Sequence, residues 1–87
     1  MHFVYVLFSR KYQKIYIGYT ANLEQRLLSH NKLGGKGYTR RYRPWELLIV
    51  ETYLNKRTAM ARELWLKSSG GRKLIWQEIQ ARGLLSA

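Results

Sequence analysis

The chain reads as an α+β domain: a three-stranded antiparallel sheet flanked by three helices, in the order β-β-α-β-α-α. Residues 2–9 (HFVYVLFS) are apolar on both alternating faces, as in a strand covered on two sides and therefore central in its sheet. A β-branched and aromatic run, Ile15-Tyr16-Ile17-Gly18-Tyr19-Thr20, resumes after the short polar stretch Arg10 to Lys14, so the two runs read as a hairpin. No crossover helix joins successive parallel strands, which leaves antiparallel pairing as the simplest sheet. With 87 residues the chain can bury one modest core, and residues 1–87 are expected to form a single domain.

The remaining elements follow in order. Asn22 caps a first helix whose apolar stripe is Leu23, Leu27 and Leu28, with Asn31 as its stop before the Gly34-Gly35-Lys36-Gly37 loop. Pro44 closes that loop, and residues 45–53 (WELLIVETY) form a third strand whose Leu-Leu-Ile-Val centre reads as buried. Asn55 or Thr58 starts a second helix, packed through Ala59, Met60, Leu64 and Leu66 and ending near Ser68-Ser69-Gly70-Gly71. A third helix from about Arg72 uses Leu74, Ile75 and Ile79 before Gly83.

Charge narrows the function. Sixteen Lys and Arg stand against five acidic residues, all Glu, for a net +11, so the natural partner is a polyanion. No apolar run approaches the ~18 residues of a spanning helix and no signal-like segment follows Met1, so the protein is expected to be soluble, cytoplasmic and not membrane-bound. The absence of Cys, with only two His, leaves no disulfide framework and nearly excludes the usual zinc sites. A basic architectural protein that catalyses nothing would share this composition.

The residues able to do chemistry are scattered. Tyr5 and Tyr16 lie on neighbouring strands and share a face when the pairing sum is odd, as with Arg10 opposite Ile15 around a four-residue loop. Two ordinary sheet tyrosines would look the same, but Gly18 on the second strand suggests that something must approach the backbone closely there. On the first helix Arg26 and His30 share a ridge within roughly 60° of Leu23, directed toward the sheet. Arg26 there can clamp a phosphate through its planar fork and His30 can orient or relay a proton; a snorkelling Arg and a core-edge His are the alternatives. Among Glu24, Glu46, Glu51, Glu63 and Glu78, only Glu63 falls within an apolar helical stripe. One carboxylate completed by water and phosphate oxygens suits one hard divalent ion, Mg²⁺ or Mn²⁺, while an i, i+4 pair with Lys67 is the competing use of Glu63. In the basic loop Lys36, Arg40, Arg41 and Arg43 alternate with Tyr38 and Tyr42, combining phosphate contacts with faces on which an unpaired base can stack. No recognition helix or zinc finger is present, so cleavage would be structure-selective or weakly selective.

Taken together, Phe3-Val4-Tyr5, Tyr16-Ile17-Gly18, Arg26-Leu27-Leu28-Ser29-His30 and Glu63 resemble the GIY-YIG nuclease superfamily. The chain is similar to its small stand-alone bacterial members, which are themselves similar to the amino-terminal domain of excinuclease C. The resemblance covers roughly residues 2 to 75 and departs from the pattern at Phe3, which stands where the eponymous glycine would be. It implies a metal-dependent endonuclease acting on nucleic acid, DNA in preference to RNA. In that chemistry Tyr5 takes a proton from the attacking water, Tyr16 supports it and Arg26 holds the phosphate. Glu63 binds one divalent ion near the leaving oxygen and His30 assists proton transfer or positioning. A single in-line displacement would leave a 5′-phosphate and a 3′-hydroxyl. A nucleic-acid-binding module that keeps the fold without turnover is the alternative.

Overall fold

The computed structural model describes residues 1–33 and 37–86. Strand β1 spans His2–Ser9, β2 Lys14–Thr20 and β3 Glu46–Tyr53; all pairing is antiparallel and the sheet order is β2-β1-β3. The doubly apolar run is thus the central strand, as its pattern requires. Helix α1 covers Leu23–Leu28 and passes into a π-helical turn, Ser29–Leu33; α2 covers Tyr38–Arg41, α3 Lys56–Lys67 and α4 Ser69–Ala81.

Side-chain alternation along β1 divides the core between two faces. Val4, Val6 and Phe8, with Ile15 and Ile17 of β2, face Ala59 and Leu66 of α3 and Ile75 and Ile79 of α4. Tyr5 and Leu7 face the other way, against Trp45 and the half-buried Tyr16, Leu23, Leu27 and Tyr42. Tyr5 therefore belongs to the smaller of the two cores.

Several expectations are corrected. The hairpin loop does hold four residues, but its last pair is Ser9 with Lys14 rather than Arg10 with Ile15, because Gln13 adopts a left-handed conformation (φ 56°) and its N–H closes the turn on the Ser9 carbonyl. The pairing sum stays odd, so Tyr5 and Tyr16 do share a face. The centre of β3 is not uniformly buried: Leu48 is, whereas Leu47 and Val50 remain 40% and 44% exposed. β3 is an edge strand, and the smaller core forms over the β1–β2 side, where α1 supplies Leu23 and Leu27. A bulge opposite Val6 and Leu7 turns both Leu48 and Ile49 toward the α3–α4 side.

Helix α3 packs through Ala59 and Leu66, with Arg62 and Glu63 half-buried between them, an i, i+3, i+4, i+7 stripe. Met60 and Leu64, expected inside, are 46% and 72% exposed. Arg62 holds its place on this face by a two-pronged bond to Glu51 (2.9 and 3.0 Å) while lying over the Trp65 ring, and Tyr53 donates to the same carboxylate at 2.8 Å. These contacts hold the Glu51 carboxyl below its ordinary value of 4.5, the Arg62 bond contributing most.

The segment Ser68-Ser69-Gly70-Gly71 is not a linker. Ser68 ends α3 and caps α4, accepting from the Gly71 N–H at 3.3 Å, so both glycines lie in the first turn of α4. Leu74, expected to pack, is 44% exposed. The loop before Pro44 holds a fourth α-helix, α2, where only a loop was expected; Lys36 lies outside the described residues.

Candidate active site

Tyr5 projects from the middle of β1, directly across from Gly18 of β2. A Cβ at Gly18 would stand 2.4 Å from the Tyr5 hydroxyl and 2.5 Å from Cζ, so the ring lies on the glycine itself. The glycine is required by this close approach of a side chain to the backbone. Gly18→Ala is therefore expected to push the Tyr5 hydroxyl out of place. Because the obstruction is the far end of a side chain, the fold should survive while any activity that depends on Tyr5 drops at least tenfold; circular dichroism alongside a cleavage assay reads both.

His30 meets Tyr5 from the opposite side. Its Nε2 lies 2.9 Å from the Tyr5 hydroxyl, and both residues are buried. Tyr16 completes the cluster, its ring centroid 4.7 Å from that of His30 and 6.3 Å from that of Tyr5. The π turn brings His30 inward: its i→i+5 geometry departs from the α-helical ridge that would keep Arg26 and His30 together. Arg26, expected to face the sheet, is instead exposed, and only His30 is buried. Arg43 braces the turn by donating to the carbonyls of His30 (2.5 Å) and Ser29 (3.2 Å). Asn31 exchanges two further bonds with the backbone of Trp45, at 3.0 and 2.7 Å.

Electrostatics tie Arg26 and Glu63 to this cluster. Burial pushes the Tyr5 phenol well above its ordinary value of 10.0; Tyr16 and Glu63 add to the rise, and Arg26 opposes it. His30 is pushed below 6.5, first by burial and then by the charges of Arg26 and Arg43, so it is neutral at pH 7. Its second ring nitrogen, Nδ1, is buried without a hydrogen-bond partner among the described residues. Of the five residues singled out in the sequence, Tyr5, Tyr16 and His30 are in contact, and the charges of Arg26 and Glu63 act on the Tyr5 phenol.

Glu63 makes the i, i+4 pair with Lys67 at 3.3 Å, with 21% of its side chain exposed. Among the described residues there is no group of three or more His, Cys or Glu side chains able to share a metal ion. One half-buried carboxylate is still a fitting donor for a hard, strongly hydrated cation, which takes one or two carboxylates and completes its shell with water and phosphate oxygens.

The basic-aromatic segment lies beside the cluster. Tyr38 stacks on Trp45 (5.9 Å, 24°), which in turn meets Tyr16 at 6.4 Å, and the Tyr38 hydroxyl donates to the Ile15 carbonyl at 2.9 Å. Tyr42 packs edge-on to Tyr38 and Tyr12 and lies under Lys14 and Arg41. Arg40 and Arg41 are exposed on α2, whereas Arg43 serves the π turn. Lys67, read in the sequence as a partner for Glu63, and Arg72, read there as the start of a helix, line a cleft of about 290 Å³ together with Tyr16, Tyr38, Ile15 and Ile17. Reading Ser68 as a cap shared by two helices, rather than as the edge of a linker, would have placed Arg72 one turn from Lys67.

The family described as the GIY-YIG catalytic domain matches residues 1–75. A UPF0213 protein of Oceanobacillus iheyensis is 46% identical over 66 residues, which cover 76% of each chain. One from Clostridium perfringens is 42% identical over 77% of this chain and 71% of its own, and one from Lactococcus lactis is 42% identical over 88% and 74%. No solved structure matches the chain.

Proposed function

The chain belongs to the GIY-YIG catalytic-domain family, a family of endonucleases, and we propose that it is a metal-dependent endonuclease hydrolysing nucleic-acid phosphodiester bonds, DNA in preference to RNA. The observation that carries this reading is the buried Tyr5–His30 hydrogen bond, with Arg26 and Glu63 acting electrostatically on the same phenol. No described helix is long and apolar enough to cross a membrane, and a cytoplasmic setting with access to DNA suits the reading.

A phenol whose pKa burial raises cannot wait as a phenolate, so Tyr5 needs an acceptor for its own proton. Neutral His30 provides one. With its ring proton on Nδ1, His30 accepts from the Tyr5 hydroxyl through Nε2. As water attacks phosphorus, Tyr5 takes the water proton and passes its own to His30. The bond to the 3′ oxygen breaks, that oxygen takes up a proton from solvent while His30 releases its own to solvent, and a 5′-phosphate and a 3′-hydroxyl result. Arg26 presents its exposed guanidinium to the phosphate and stabilises the charge that builds on its oxygens. Tyr16, packed on the imidazole, keeps the two rings in register. Glu63 is the residue that would hold the divalent cation, Mg²⁺ or Mn²⁺, which when bound supplies positive charge near the leaving oxygen.

On the substrate side, the exposed Arg40 and Arg41 contact phosphates beside the Tyr38–Tyr42 aromatic surface. Lys36 belongs to the same basic segment, and Arg43 contributes by supporting the π turn. Such contacts carry no base readout, so selectivity is for structure, or weak.

The test is cleavage of labelled single-stranded, duplex, flap and branched DNA with Mg²⁺ or Mn²⁺, comparing wild type with Glu63→Gln at equal purity. Metal-dependent cutting by wild type that Glu63→Gln abolishes is expected. Cutting that survives Glu63→Gln unchanged would belong to a contaminant, and tight salt-dependent binding without cutting would make the protein a non-catalytic binding module.

A further inference from the structure

The cleft beside the active site is built at the free edge of the sheet. One wall is the backbone and side chains of Ile15, Tyr16 and Ile17 on β2, an edge strand. Tyr38 forms a second wall from α2. Lys67, the last residue of α3, and Arg72, in the first turn of α4, form the third. Ser68 is the only residue between the two helices, so the backbone holds these two cations in a fixed relation.

Both cations retain donors for a ligand. Arg72 Nε donates to the Lys67 carbonyl at 3.2 Å, which orients the guanidinium and leaves its other N–H groups without a hydrogen-bond partner among the described residues. Lys67 has three N–H donors and, among the described residues, faces a single carboxylate, that of Glu63. The cleft therefore presents two positive charges, with one carboxylate at its border. Its volume, about 290 Å³, is at the small end for ligand sites, which run from ~300 Å³ upward. The charge of Arg72 also reaches the Tyr38 phenol across the cleft. Tyr16 connects the two regions, lining the cleft and touching His30.

We infer that Lys67 and Arg72 form a second phosphate subsite, which holds the phosphodiester next to the one that is cut and lays the substrate strand along the free edge of β2. The inference rests on the nuclease reading for what lies in the neighbouring site, but its own content is the phosphate contact at the α3–α4 junction. Lys67 would then bridge the two sites, with Glu63 on one side and a backbone phosphate on the other. Sequence-independent backbone contacts of this kind position a strand without reading its bases.

The experiment is fluorescence anisotropy of a labelled single-stranded oligonucleotide, without divalent ions, across a range of salt concentrations. Wild type is compared with Lys67→Gln/Arg72→Gln and with Lys56→Gln/Arg57→Gln, which removes the same charge at the other end of α3. Loss of one phosphate contact is expected to lower the slope of log K against log salt by about 0.7 in the first pair, with the second pair keeping the wild-type slope. A wild-type slope in Lys67→Gln/Arg72→Gln, or an equal fall in both pairs, would overturn the subsite in favour of diffuse attraction. Thermal unfolding of each variant verifies that it is folded; all four side chains are exposed. A lowered slope in a protein that never cuts DNA leaves the subsite standing and removes the nuclease. Cutting by wild type with an unchanged slope removes the subsite alone.

Discussion

Tyr5→Phe is expected to lower the single-turnover cleavage rate by about 10² to 10⁴, the range that a positioned proton-transfer group contributes, or about 2.7 to 5.5 kcal/mol of barrier. The substitution removes one oxygen and keeps the ring that fills the space above Gly18, so packing is largely preserved. It also leaves His30 Nε2 without its partner, at a cost to stability of about 1 to 3 kcal/mol. Thermal unfolding must therefore accompany the kinetics to show that the variant is folded at the assay temperature. Since Tyr5 and His30 act as one relay, Tyr5→Phe/His30→Ala should be hardly slower than either single variant.

The relay also sets the pH dependence. His30 must be neutral to accept, and its pKa lies below 6.5. The rate should hold near neutrality and fall as pH drops through that depressed value, with the acid limb lost in His30→Ala. Cleavage by Tyr5→Phe at the wild-type rate would remove Tyr5 from the proton path, and an acid limb that persists in His30→Ala would remove His30.

Gly71→Ala should be the most damaging small change to the fold. A Cβ at this buried position would lie 2.4 Å from both Leu66 Cα and the Trp65 carbonyl oxygen, and 2.6 Å from the Leu66 carbonyl carbon. Every one of these atoms is backbone, so no rotamer change relieves the clash and α4 must move away from α3. A cost of about 3 kcal/mol is expected, which for a chain of this size lowers the melting temperature by about 12 to 24 °C. Gly70, one residue earlier, is the control. Its Cβ would meet only Trp65 Cζ2 at 3.9 Å, and Gly70→Ala should stabilise by about 0.4 to 1 kcal/mol through the unfolded chain. Urea or thermal unfolding of the pair decides it; a Gly71→Ala variant within 1 kcal/mol of wild type would contradict the close helix contact.

Much of the fold was legible locally. The 2–9 run names the central strand because only a strand covered on both faces can be apolar at every position. Asn22 and Asn55 cap their helices through side-chain oxygens that accept from the following turns, as their residue type favours. Helix faces were harder. Met60 and Leu64 are apolar yet exposed, while Arg62 lies in the packed stripe beside Glu63 because its charged end finds Glu51. An apolar count cannot register such partners. The glycine pair showed the opposite difficulty: Gly-Gly ordinarily punctuates a loop, but here Gly71 admits a neighbouring backbone within a helix.

The sequence by itself determined the class of sheet, the polyanion-seeking charge and the cast of the candidate site: Tyr5, Tyr16, Gly18, Arg26, His30 and Glu63. Those properties live in residue type, alternation and spacing along one strand or helix. Only the tertiary structure decided how the cast is divided. The π turn buries His30 against Tyr5 and leaves Arg26 exposed, Arg43 becomes the brace of that turn, and the α3–α4 junction places Lys67 and Arg72 on the cleft. Each of these depends on groups far apart in the chain, whose partners are set by packing and by hydrogen bonds that form once the elements have docked.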